Sequence, residues 1–159
     1  MRAIDAFLLQ LDGAWDHAWE SLRSALDGIT DEEATWQAPC YRGEESAPGM
    51  PLAGTVHWHV AHLADCKDYY SACLRHRGKE GAVECEPLKP RASFAESLEQ
   101  LKQVHEAQRE LVASLQDEDL ALTVENGVRV SEYLATTLRH DAWHAAQIAV
   151  ARRLWRTRD

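Results

Sequence analysis

The chain has 159 residues, 45% of them hydrophobic and 27% charged, a size and balance that suit one globular domain with a proper core. A net charge of −9 and a pI near 5.3 argue against a nucleic-acid backbone or an anionic membrane as the main partner, and no apolar run approaches the length of a bilayer span. Cys40, Cys66, Cys73 and Cys85 form no CxxC pair or zinc-ribbon spacing, so free thiols in a reducing cytoplasm are expected.

Residues 1–11 do not read as a signal peptide, because Asp5 interrupts the apolar run before a hydrophobic core of that kind can form. The spacing predicts a first helix over 2–27, with Phe7, Leu8, Leu11, Trp15, Ala18, Trp19, Leu22 and Leu26 on one stripe and Gly28 as its stop. Both tryptophans lie on that stripe, which points to core packing. Thr30 to Glu33 has the form of a capping box and should open a short helix ending near Trp36. A turn-rich loop follows over 39–54; a loop of that length in a compact domain is often a lid or wall of a site.

Thr55 caps the predicted second helix, which runs to about Arg77 with Gly78 after it. Val56, Val60, Leu63, Tyr70 and Leu74 form its buried stripe, while Ala61, Asp65, Asp68 and Arg75 mark its wet face. At about 100° per residue, His59 falls inside the stripe and His62 at its edge. Cys66 and Cys73 also face inward, as small buried thiols do. Ser93 to Glu96 is another capping box, and the helix after it should reach about Gln116, with His105 on its stripe. Asn126-Gly127 between short β-branched runs is a hairpin signal, so a small β-ribbon is expected there. Ser131 then caps a last helix from Glu132 to about Leu154. Its face carries Leu134, Thr137, Leu138, Ala145, Ile148 and Arg152, with His144 within it and His140 on the border. The arginines at 152, 153, 156 and 158 read as a complement to its C-terminal dipole. Four long amphipathic segments make the expected fold an all-α four-helix bundle, one domain over 1–159.

The chemistry-bearing stretch is 139–148, RHDAWHAAQI. His140 and His144 are four residues apart on a helix, one turn apart on one face, where they can share a metal ion. A third ligand would come from WHVAHLADC, over 58–66. Eight histidines in a chain this length make the spacing weak by itself, and satisfied core histidines are the competing interpretation. What favours a metal is the placing of His144 and of His59 or His62 on or beside core-facing stripes, since facing helices of a bundle build such sites. His17, His57 and His76 read as surface residues, and His105 as a packed core histidine.

WHVAHLAD, followed about 75 residues later by HDAWHAAQI, resembles the DinB/YfiT-like superfamily of small metalloenzymes. The resemblance covers nearly the whole chain, including a Trp-x-x-Pro from Trp36 to Pro39 before the second long helix. It implies a divalent ion on His62, His140 and His144, with His62 as the histidine before Leu-Ala-Asp; imidazole suits zinc, nickel, iron and copper alike. That differs from the periodicity, which favours His59; His59 then becomes a wall of the site or a partner behind a ligand. The resemblance also implies a homodimer, a small-molecule substrate, and either transfer or isomerisation with a low-molecular-weight thiol or a metal-dependent hydrolysis.

Three neutral imidazoles leave open positions on an ion, which marks a catalytic site more than a structural one. His59 and Asp141 are the candidate acid or base groups. Gln147, Tyr69 and Arg42 are candidates for contacting substrate, with Arg139 a further available cation. Trp143 and Trp155, off the core stripe, suggest a subunit contact. A non-catalytic metal-binding or interaction protein is the alternative.

Overall fold

The structure, a computed structural model, describes residues 2–41, 44–86 and 91–158. Among them the chain forms α1 (Ala3–Asp16), α2 (Leu22–Leu26), α3 (Asp31–Thr35), α4 (Val56–His76), α5 (Phe94–Ser114) and α6 (Val130–Arg156), with short 3-10 turns and no strand. The long helices α1, α4, α5 and α6 are the four of the expected bundle. None of the helices is long and apolar enough to cross a membrane.

The caps read from the sequence at Thr30, Thr55 and Ser93 are present. Each side-chain oxygen accepts from the backbone N–H three residues on: Glu33, Trp58 and Glu96. Gly78 follows α4 with φ +70°, a conformation that suits glycine.

Elsewhere the boundaries differ from expectation. The first helix is broken at 17–21. There the Ser21 hydroxyl donates to the His17 carbonyl and accepts from Ser24 N–H, a local pairing that competes with helical continuation and opens α2 instead. The break changes which side chains face inward: Leu22 is fully buried, whereas Trp19 is 85% exposed and not core. The last helix starts before Ser131, because Val130 is buried and its N–H is held by the Leu122 carbonyl. Asn126-Gly127 does make the turn, with φ +58° and +74°, but only the single bridge Thr123–Arg129 pairs across it, so no ribbon forms. Ala61 is buried and not on the wet face. His57 is buried too, with Nε2 2.8 Å from Ser97 Oγ. Trp155 packs edge-on against Trp36 within the molecule, which leaves Trp143 as the outward one.

The interior has three levels. Leu22, Val56, Val60, Leu63, Phe94, Leu101 and Ile148 belong to one apolar cluster. Ile4, Leu11, Leu74, Val112, Leu115, Val130 and Leu134 belong to a second. Between them on α4, α5 and α6 the same seams carry polar groups: Lys67 and Ser71, His105 and Gln108, Thr137, Asp141 and His144, all buried. The buried positions of α6 run Val130, Leu134, Thr137, Asp141, His144, Ile148, Arg152, steps of three and four throughout. A polar layer across the bundle therefore follows from what the core-facing positions contain.

Candidate metal centre

The site lies where α4 meets α6, at the edge of that polar layer. Helical spacing on α4 stacks His59, His62 and Cys66 within two turns; α6 opposes them with His140 and His144. The His140 and His144 rings are 4.5 Å apart, and their Nε2 atoms approach to 3.1 Å. His62 lies across from both, with ring centroids 5.3 Å from His140 and 5.0 Å from His144. The two helices thus bring together the three histidines expected as ligands.

His59 reaches the same cluster from deeper in the core. Its Nδ1 is 2.8 Å from His144 Nδ1, so one of these nitrogens donates and the other accepts. With His144 Nδ1–H as the donor, His144 Nε2 keeps a free lone pair beside His140 Nε2, the orientation that places two ligand atoms on one point. The periodicity that put His59 inside the stripe and the motif that selected His62 therefore describe two neighbouring positions of one site.

Two residues of the 58–66 stretch to which the sequence assigns no site role complete the surroundings. Trp58 stacks flat on His62, with centroids 4.8 Å apart and planes 8° from parallel, and meets His59 edge-on at 5.2 Å. Cys66 brings Sγ to 3.5 Å from His62 Nε2. His62, Cys66 and His140 each offer a donor atom within 4.8 Å of the others. Their i and i+4 spacing, 62 to 66, was the available signal; it is the same one that made 140 and 144 conspicuous.

Burial holds the imidazoles neutral. Desolvation, joined by the neighbouring imidazoles, holds His144 down to about 3 and His59 to about 4. His62 and His140 are lowered as well, desolvation being the main cause. A neutral imidazole is the form that ligates a metal. Burial likewise pushes the Cys66 thiol up to about 11, so without a metal it stays protonated at neutral pH. A cluster of neutral nitrogen donors and one thiol, half-buried at His62, Cys66 and His140, fits a borderline-soft divalent ion with access to solvent.

The remaining candidates are more scattered. Asp141, one residue after His140, accepts at Oδ2 from Lys67 Nζ at 2.6 Å, and Lys67 also donates to Gln108 Oε1. Lys67 is fully buried, a position legible only as a polar interruption of the α4 stripe. Tyr69 directs its hydroxyl to Glu125, while its neighbour Tyr70 stands 5.8 Å from the His140 ring. Gln147 is half-buried one turn past His144. Arg139 is exposed and turns back onto Thr136, and Arg42 lies outside the described residues. His105 is packed as expected, stacked on Trp15 at 3.9 Å.

No curated protein and no solved structure matches the chain. A family model described as the DinB superfamily matches residues 14–148.

Proposed function

The chain belongs to the DinB superfamily, and from that premise we propose that it is a divalent-metal-dependent enzyme that carries out transfer or conjugation with a low-molecular-weight thiol on a small-molecule substrate. The observation that supports it most is the convergence of His62, His140 and His144 from two facing helices, with the Nε2 atoms of the last two 3.1 Å apart. In this proposal those three residues hold the ion. When bound, such an ion lowers the pKa of a coordinated thiol or water and supplies a nucleophile at neutral pH.

The surrounding residues divide the other tasks. His59 accepts from His144 Nδ1–H and so holds the ligand ring in its tautomer. With Nδ1 engaged, neutral His59 carries its proton on Nε2, and its proposed catalytic part is to donate a hydrogen bond from that nitrogen. Trp58 fixes the His62 ring and forms an apolar wall against which a substrate packs. Asp141 contributes a buried negative charge behind His140, balanced by Lys67, and positions α6. Tyr70, 5.8 Å from the His140 ring, and Gln147, one turn past His144, are the proposed substrate contacts, whereas the Tyr69 hydroxyl is engaged by Glu125. The metal-dependent hydrolase is the same site with water in place of the thiol.

Metal analysis of untagged protein, beside His62→Ala, His140→Ala and His144→Ala, tests the ligand set. Near-stoichiometric metal in the parent and its loss in each variant is expected. The metal-loaded parent should then conjugate a small thiol to an electrophile, and His144→Ala should lose that activity. Stoichiometric metal with no turnover of thiol or ester substrates would overturn the enzyme and leave a metal-binding interaction protein. Absence of metal after reconstitution with zinc and nickel would overturn both.

A further inference from the structure

We propose that Cys66 is a ligand of the same ion, its thiolate coordinating beside His62 and His140. The inference rests on the metal-binding reading above and adds a donor of a different kind to it.

Cys66 lies one turn after His62 on the same face of α4, and its Sγ is 3.5 Å from His62 Nε2 and 3.9 Å from Nδ1. With His140 these residues form a trio whose donor atoms all lie within 4.8 Å of one another. The thiol is in no disulfide. The adjacent carboxylate does not compete for the place, because Asp65 is engaged by Arg91 at 2.6 Å. Trp58, flat against His62, limits the turning of the ring that Cys66 faces.

On coordination the S–H bond breaks, a metal–sulfur bond forms, and the proton passes to solvent. A thiolate carries a negative charge where imidazole carries none, and it is softer. It therefore biases the site toward zinc and cobalt over hard cations. With His62 and His140 it makes a set of three protein donors, which leaves a position on the ion for substrate.

Cobalt(II) titration of the full chain, read by absorption, tests this on the parent, on Cys66→Ser, and on a Cys40→Ser/Cys85→Ser variant that removes the exposed thiols. The parent should show a thiolate-to-cobalt charge-transfer band in the near ultraviolet that saturates with the visible d–d bands. The Cys40→Ser/Cys85→Ser variant should keep that band. Cys66→Ser should lose it while still binding cobalt, with affinity lowered about 100-fold or more, since loss of a ligand exceeds the loss of a partner behind one. Circular dichroism establishes that the Cys66→Ser protein is folded, and Cys66→Ala serves in its place should it not be. Cobalt bound with d–d bands alone, identically in the parent and Cys66→Ser, would overturn the thiolate ligand and leave the histidine site standing. A band carried by the exposed thiols would overturn it also. No cobalt binding in any of them would overturn the metal site itself.

Discussion

Lys67 and Asp141 meet at 2.6 Å with neither side chain more than 1% exposed, and Asp141 Oδ1 is buried without a partner. Removing one member of such a pair leaves a buried charge uncompensated. Asp141→Asn should therefore destabilise the fold by about 3–5 kcal/mol, read from urea unfolding. Lys67→Met combined with Asp141→Leu should recover most of that loss, because replacing both partners removes the desolvation cost together with the attraction. If Asp141→Asn instead abolished turnover with stability intact, Asp141 would be the catalytic acid or base considered from the sequence.

The histidines set a pH dependence whose sign follows from their burial. His144 and His105 are lowered to about 3 and His59 to about 4, chiefly by desolvation, against about 6.5 when unfolded. Between those values the unfolded chain binds protons that the folded one does not. The contribution is intact above about 6.5 and is lost as pH falls toward 4 and 3, at about 1.4 kcal/mol per pH unit for each imidazole. Metal-free protein should thus lose stability from about pH 7 to about pH 5, seen as a falling urea midpoint. His105→Phe, which keeps an aromatic ring against Trp15, should flatten the slope; a profile unchanged by it would mean His105 takes its proton in the fold.

At the scale of elements, the entry to α4 decides where the α4 histidines stand. Gly54 has φ +72°, and a Cβ there would run into the Tyr41 ring. Gly54→Ala combines a strained backbone with a steric clash and should cost about 2–4 kcal/mol in unfolding experiments. Because Thr55 caps the helix directly after it, metal affinity should fall in the same variant. Unchanged affinity would show that α4 is held by its packing on α5 and α6 instead. α3 is tied to the far end of α6 in a comparable way: Arg152, on the core stripe of α6, donates to Glu33 at 2.8 Å and to the Ala25 carbonyl. The sequence places Arg152 both on the α6 face with Ile148 and among the arginines of the helix C-terminus, and it is the inward place that the side chain takes.

Across the whole molecule, α6 also carries an exposed apolar patch. Trp143, Val150 and Leu154 are 64%, 53% and 41% exposed and follow one another at near-helical steps on α6. Beside them a groove of about 770 Å³ is lined by Ala142, Ala146 and Ala149 of α6 and by Trp19, itself 85% exposed. This is the surface on which a homodimer, expected from the resemblance, would form. Sedimentation velocity should show a dimer that Trp143→Glu converts to monomer without a change in helical content. A monomer in the parent protein would overturn the expected homodimer.

The four long helices, the caps at Thr30, Thr55 and Ser93, and the His140–His144 pair were determined by the sequence alone. Amphipathic periodicity and capping act within a few residues of chain, and nothing distant needed to be known. The break at Ser21 and the outward turn of Trp19 escaped detection because a serine pairing with its neighbours competes with a stripe that continues unbroken in the letters. What only the tertiary structure decided is which polar groups meet across helices. His59 on His144, Lys67 on Asp141 and Cys66 beside His140 each join positions about 75 to 85 residues apart. Helix spacing gives a side chain its face but not its partner; the partner is set by the depth at which α4 and α6 pack, a property of neither helix by itself.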